Sequence, residues 1–245
     1  MQIDITKIIA AAQAGGEVLK KYFGQTLVVT EKSMAADFKT IADLESEKAI
    51  LGILKKKFPA FDINSEESGK TDTGSEYVFA VDPLDGTNNF VLGIPNFTVS
   101  IGLLKGNEVV AAVVYNPILN ETYSAQKGGG AYMNGKRLHV SGEKDLKKAT
   151  IAYTCGYLEP YSNESRFMDG LYLKGAKRVM SNWSVASDCC LLASGRIEGF
   201  VSRATELYDF SAGKLLASEA GAIIADFDGQ PSHNDQSDKF VIANS

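Results

Sequence analysis

The segment Asp82-Pro83-Leu84-Asp85-Gly86-Thr87-Asn88-Asn89-Phe90 constrains this chain more than any other. It follows Val78-Phe79-Ala80-Val81, an apolar run of the length and composition of a short buried strand. The strand thus runs into two carboxylates three positions apart, with a proline between them and a Gly-Thr step after them. Two chemistries fit. Asp, Pro and Gly all favour turns, so the segment reads as an Asp-rich β-turn. Carboxylate oxygens also suit Mg²⁺, which usually binds through one or two carboxylates plus a substrate phosphate. The backbone N–H groups of Gly86 and Thr87 would then point at an anion, as they do at a helix N-terminus. The nonapeptide alone does not choose between these readings.

Three further acidic segments bear on the choice. Asn64-Ser65-Glu66-Glu67-Ser68-Gly69 follows the apolar stretch Phe61-Asp62-Ile63. On its own the Glu pair reads as solvated surface. Tyr208-Asp209-Phe210-Ser211-Ala212-Gly213 opens a strongly helical segment, and Asp37-Phe38-Lys39-Thr40-Ile41-Ala42-Asp43 precedes another. Asp209 and Asp43 each have a plain reading as a helix N-cap. Joined to Asp82 and Asp85, the same side chains complete a polynuclear carboxylate site.

Periodicity divides the chain into two patterns. Apolar residues recur at helical spacing from Ile5 to Tyr22, and a second helix is expected from Leu44 to Phe58, ended by Pro59. Strands are expected at Phe97–Leu104, Glu108–Tyr115 and Glu121–Gln126, and Asn134-Gly135 marks a hairpin between Ala131–Met133 and Arg137–Val140. This half reads as an antiparallel meander with helices beside it. Past about Ser141 strands alternate with helices: Thr150–Thr154, Ser162–Leu173, Lys177–Met180, Ser184–Ala193, Gly199–Val201, Asp209–Ala220, Ala222–Ile224 and Phe240–Ala243. Such alternation favours a mixed or parallel sheet flanked by helices. The fold class is therefore α+β grading into α/β. Two subdomains are expected, at residues 1–145 and 146–245, with the acidic site where they meet.

Composition excludes several functions. The formal net charge is −5, which argues against a nucleic-acid surface. Three cysteines, two of them adjacent, make neither a disulfide framework nor a zinc pattern. His139 and His233 are the only histidines, and both read as surface residues. No signal peptide is visible in the first twenty residues, and no apolar run approaches the roughly 18–20 residues needed to span a bilayer. A cytoplasmic protein is expected, with no membrane partner.

Taken in order, the four acidic segments resemble the inositol monophosphatase family of Mg²⁺-dependent, lithium-sensitive phosphatases, and the resemblance spans nearly the whole chain. It implies a layered α/β/α/β/α sandwich, a homodimer, about two to three Mg²⁺ ions, and hydrolysis of small phosphate monoesters by a metal-activated water. By resemblance, Glu66, Asp82, Asp85 and Asp209 are metal ligands together with the Leu84 carbonyl, and Asp82 bridges two ions. Thr87 and Asp43 match the pair that orients the attacking water, near the ion that Glu66 holds. Gly86 and Thr87 would cradle the phosphate. Lys32 and Asp37 match the family's upstream pattern.

The resemblance is weaker on the alcohol side of the site. Family members that cleave inositol phosphates use a Gly-x-Ala segment and a downstream Glu to hold hydroxyls. Here that segment reads Asn182-Trp183-Ser184-Val185-Ala186, with Trp183 in place of the glycine, and Ser202 stands where the Glu would be. Asp85, Trp183, Ser184, Ser202 and Asp209 are the expected substrate contacts. Trp183 reads either as a stacking wall or as core, and Arg203 either as a second phosphate contact or as solvated surface. Inositol 1-phosphate or a related sugar phosphate is the leading substrate. Fructose 1,6-bisphosphate, 3′-phosphoadenosine 5′-phosphate, NADP and histidinol phosphate are the alternatives. Asn88-Asn89-Phe90 resembles the inositol group more than the nucleotide group, and a non-catalytic regulator on the same fold is a third class.

Overall fold

A computed structural model describes residues 3–34, 37–157, 161–232 and 234–244. The expected first helix forms as α1 (Ile5–Tyr22), capped by Asp4, whose carboxylate accepts from Thr6 N. A hairpin of β1 (Thr30–Met34) and β2 (Asp37–Lys39) follows, then α2 (Ile41–Lys57). The next elements are β3 (Asp62–Ser65), β4 (Gly69–Lys70), β5 (Tyr77–Asp85), α3 (Thr87–Val91), β6 (Thr98–Lys105), β7 (Glu108–Asn116), β8 (Glu121–Gln126), β9 (Gly130–Met133) and β10 (Lys136–Arg137). The strands from β3 onward form one sheet in the order β10-β9-β8-β7-β6-β5-β3-β4. From β5 to β10 it is the expected meander, each strand antiparallel to the next.

The later elements are β11 (Thr150–Cys155), α4 (Tyr161–Leu173), β12 (Arg178–Met180), α5 (Val185–Ala193), β13 (Gly199–Arg203), α6 (Leu207–Glu219), β14 (Ile223–Ala225) and β15 (Lys239–Ala243). Their sheet runs β12-β11-β13-β15-β14. It is mixed: β12, β11 and β13 are parallel, while β15 is antiparallel to β13 and β14.

Burial alternates along the strands and sets the layers. On one face of the first sheet, Phe79, Val81, Ile101 and Val113 pack against Leu19 of α1 and Ile50 and Leu54 of α2. On the other, Ala80, Ala112 and Val114 meet Ala186 and Cys190 of α5 and Ala212 and Leu216 of α6. The opposite faces of α5 and α6, at Cys189, Leu192, Phe210 and Ala217, meet Phe200, Phe240 and Ile242 of the second sheet. α4 covers that sheet's outer face, where Phe167 stacks on Tyr153 at 4.6 Å. The result is the α/β/α/β/α sandwich. Each fully buried side chain such as Phe79 or Leu54 contributes roughly 1.5–3 kcal/mol. The central helices seat closely because the contact is small: a Cβ on Gly102 of β6 would stand 2.4 Å from the Ser211 hydroxyl of α6.

Two expected boundaries are corrected. α2 starts at Ile41 with Thr40 as its cap, and α6 starts at Leu207 with Glu206 as its cap. Neither Asp43 nor Asp209 is therefore an N-cap. Each is the third helical residue of a capping box, with its carboxylate accepting from the cap's backbone N–H. β5 also runs past Val81 through both aspartates. Pro83 is tolerated because pairing with β6 breaks between Asp82 and Asp85, at a bulge. Among the described residues, no helix is long and apolar enough to cross a membrane.

Candidate active site

The bulge in β5 decides what the site can be. It turns Asp82, Leu84 and Asp85 into a cleft of ≈ 750 Å³, and β3 places Glu66 beside them. Gly86, at the end of the bulge, has φ +96°, and a Cβ there would meet the Asn96 carbonyl at 2.9 Å. Only glycine fits both constraints, and it starts α3 so that Thr87 faces the cleft. Asp209 arrives from the first turn of α6, and Tyr157, Trp183, Ala204, Gln236 and Asp238 complete the walls from the second half of the chain.

Each acidic group is held by a specific donor. Asp82 Oδ1 accepts from Leu84 N at 2.9 Å. Asp85 is buried at the N-terminus of α5. It accepts from Ser184 Oγ at 2.6 Å, Val185 N at 2.9 Å, Ala186 N at 3.0 Å and Thr98 Oγ1 at 3.1 Å. It does the capping that Ser184 would otherwise do, since Ser184 makes no cap bond of its own. Glu66 Oε1 accepts from Lys32 Nζ at 2.7 Å. Glu67 is buried between the ammonium groups of Lys32 and Lys39. Asp209 Oδ2 accepts from Glu206 N at 2.8 Å.

Thr87 and Asp43 do meet. The Thr87 hydroxyl lies 3.1 Å from Asp43 Oδ1 and 3.0 Å from the Leu84 carbonyl. The other Asp43 oxygen is fixed by Thr40 N at 2.8 Å and Thr40 Oγ1 at 2.7 Å. Burial raises the Asp43 carboxyl, against the Thr40 hydrogen bonds that favour its ionised form.

The carboxylates raise one another. Burial pushes Asp82 well above the usual range, and the charges of Glu66, Asp85 and Asp209 add to it. Asp209 is raised in the same way by burial, then by Glu66 and Asp85. Glu66 is raised by burial against the pull of Lys32, and Asp85 by burial against its hydrogen bonds. Burial alone would lower Lys32, but Glu66 and Glu67 hold it above its usual value. Glu66, Asp82, Asp85 and Asp209, with the Lys32 ammonium against Glu66, form an oxygen-donor set that carries more negative charge than its partners among the described residues balance. That chemistry fits a hard divalent cation. Among the described residues, no group of three or more acidic, imidazole or thiol side chains is arranged to hold an ion.

The whole chain, residues 2–245, matches the inositol monophosphatase family. It belongs to that family. The fructose-1,6-bisphosphatase/inositol-1-monophosphatase of Aquifex aeolicus is 36% identical over 231 residues, covering 90% of this chain and 84% of that one. The Nus factor SuhB of Vibrio cholerae is 35% identical over 225 residues, covering 91% and 84%. The crystal structure of the extragenic suppressor protein suhB from Bartonella henselae superposes with a TM-score of 0.92 at 32% identity, covering 98% of this chain and 93% of that one.

In this member of the inositol monophosphatase family, the residues expected to contact an alcohol depart from expectation. Ser202 is fully buried and outside the cleft, its hydroxyl 2.7 Å from that of Thr205. Ser184 is also buried and spends its hydroxyl on Asp85. Arg203 is half-buried and does not line the cleft. Trp183 does line it, half-buried. His139 is exposed, and His233 lies outside the described residues. Tyr157 is a cleft residue that sequence reasoning missed. It sits in a turn after β11 without periodic pattern or motif, so only the tertiary structure reveals it.

Proposed function

We propose that the protein hydrolyses small phosphate monoesters in a Mg²⁺-dependent reaction, with inositol 1-phosphate or a related sugar phosphate as the leading substrate. The observation that carries this reading is the Thr87 hydroxyl, held between Asp43 Oδ1 and the Leu84 carbonyl at the edge of the carboxylate cluster. Glu66, Asp82, Asp85, Asp209 and the Leu84 carbonyl would hold the cations. Bound there, Mg²⁺ supplies a more acidic water and positive charge for the phosphoryl oxygens.

The chain's own groups supply order. Thr87 accepts a hydrogen bond from the attacking water and passes its own hydroxyl proton toward Asp43. The two Thr40 bonds keep Asp43 oriented for that role. The Gly86–Thr87 backbone offers N–H groups to the phosphate. The rigid bulge keeps these parts in register, which favours an in-line approach. No covalent nucleophile is required.

Phosphate release from inositol 1-phosphate, fructose 1,6-bisphosphate, histidinol phosphate and 3′-phosphoadenosine 5′-phosphate, with Mg²⁺ and with a chelator, tests this reading. Turnover of at least one ester that vanishes with the chelator supports it. No turnover of any ester leaves the non-catalytic reading, which the name Nus factor SuhB on several relatives keeps in view. The intact Asp43–Thr87 pair favours catalysis, and the net charge of −5 disfavours an RNA partner.

A further inference from the structure

Trp183 is the chain's only tryptophan, and its backbone has φ +54°. A bulky residue in this left-handed region is an outlier, and glycine would take the same conformation without strain. The turn is held by its surroundings. The Asn182 carbonyl accepts from Asn89 Nδ2 at 2.7 Å and Asn96 Nδ2 at 3.2 Å, and the Asn182 side chain donates to Asp188 Oδ1 at 2.6 Å. The next residue, Ser184, is bound to Asp85. Strain kept in place this way points to a use for the side chain itself.

The Trp183 ring lies in the cleft wall, with its centroid 5.7 Å from that of Tyr157 and the planes 33° apart. Tyr157 is fixed in turn, because Asn88 Nδ2 donates to its hydroxyl at 2.9 Å, one residue from Thr87. At that spacing no third ring fits between the two, so they form one continuous wall and not a slot. Both are thus anchored to the phosphate end of the cleft, one through Asp85 and the other through the residue after Thr87. The group expected to grasp hydroxyls, at position 202, is turned inside.

We propose that the Trp183–Tyr157 wall stacks against the ring of the leaving alcohol, so that phosphate esters of ring-bearing alcohols are preferred over acyclic ones. This rests on the reading of the cleft as a phosphatase site. The shared chemistry is a flat ring face, either the C–H face of a cyclic polyol or the π face of a heteroaromatic ring.

The test uses the Mg²⁺-loaded protein and Trp183→Gly, a substitution the backbone accepts. Inositol 1-phosphate, histidinol phosphate and glycerol 2-phosphate are compared. The ratio of kcat/KM for a ring ester to that for glycerol 2-phosphate should fall about 10-fold or more in the variant. A fall for inositol 1-phosphate alone identifies a cyclic polyol, and one for histidinol phosphate alone a heteroaromatic ring. Unchanged ratios for both overturn the proposal. In the wild type, rapid mixing with the preferred ring ester should change the emission of Trp183 saturably, whereas glycerol 2-phosphate should not. An emission unmoved by either ring ester also overturns it. If the wild type hydrolyses none of these three and neither fructose 1,6-bisphosphate nor 3′-phosphoadenosine 5′-phosphate, the phosphatase reading fails, and the emission titration still decides whether the wall binds rings.

Discussion

The two ends of the cleft are built differently. At the phosphate end, Glu66 directly after β3, Asp82, Leu84 and Asp85 on β5 and Thr87 at the start of α3 lie close in sequence and in space, with Asp209 of α6 as the one member from the second half, and every carboxylate has a fixed donor. At the other end, the one proposed to take the alcohol, Tyr157, Trp183 and Ala204 come from three separate turns of the second half, and Gln236 and Asp238 from a fourth. A contiguous motif on a bulged strand makes for invariant geometry, because one residue cannot move without its neighbours. Separate turns can change independently, so on the proposed reading one chemistry could serve different alcohols. Variants at the phosphate end should then lower turnover of every ester alike, and variants at the alcohol end should reorder the esters.

The largest effect is expected from Asp82→Asn. It removes the charge at the centre of the carboxylate cluster, and kcat should fall at least ~10³-fold on all esters. Near-normal turnover in the folded variant would break the assignment. Thr87→Ala comes next, with kcat lowered about 10²-fold and KM little changed, since the contact matters mainly in the transition state. Asp43→Asn should look similar, and steady-state kinetics of the double variant should show clearly less than the product of the two losses. A multiplicative loss would mean that Asp43 serves only the capping box at Thr40.

A smaller effect concerns the support of the alcohol end. Asp188 is buried beneath the Trp183 turn, and burial pushes its carboxyl from 3.8 up to about 8. The folded protein therefore holds this proton more tightly than the unfolded chain does. Asp188 contributes its full stability below about pH 4, and this is lost as pH rises through about 8. Asp188→Asn cannot ionise, so its melting temperature relative to wild type should climb across that window and level off above it. For a chain of this size each kcal/mol corresponds to roughly 2–4 °C. A difference that stays flat with pH would show that Asp188 is ionised throughout.

What the sequence made legible follows the same division. The strand into Asp82, the meander and the Asn134-Gly135 hairpin are local patterns, and the structure contains them. The start of α2 was misplaced because Asp43 resembles a cap, whereas Thr40 takes the cap and Asp43 the third position. The start of α6 was misplaced in the same way, with Glu206 and Asp209 in those roles. A capping box and a simple cap share residue types and differ only in the geometry of the chain entering the helix. Trp183 stands out in the sequence as an expected substrate contact, with core as the alternative, because a lone tryptophan before a helix fits both; the structure puts it in the cleft wall. Tyr157 carried no signal, because its role depends on Asn88, 69 positions away. Ser202 is buried on β13 with its hydroxyl on Thr205, a contact that its position along the chain does not reveal.

The claim beneath all of this is that Glu66, Asp82, Asp85 and Asp209 form one divalent-cation site. Calorimetric titration of Mg²⁺ into the protein with inorganic phosphate present tests it without reference to any substrate. The wild type should bind about two to three ions saturably, and Asp82→Asn, with its fold checked by circular dichroism, should lose at least one of them. Equal binding by the two proteins, or no saturable binding by the wild type, would contradict it.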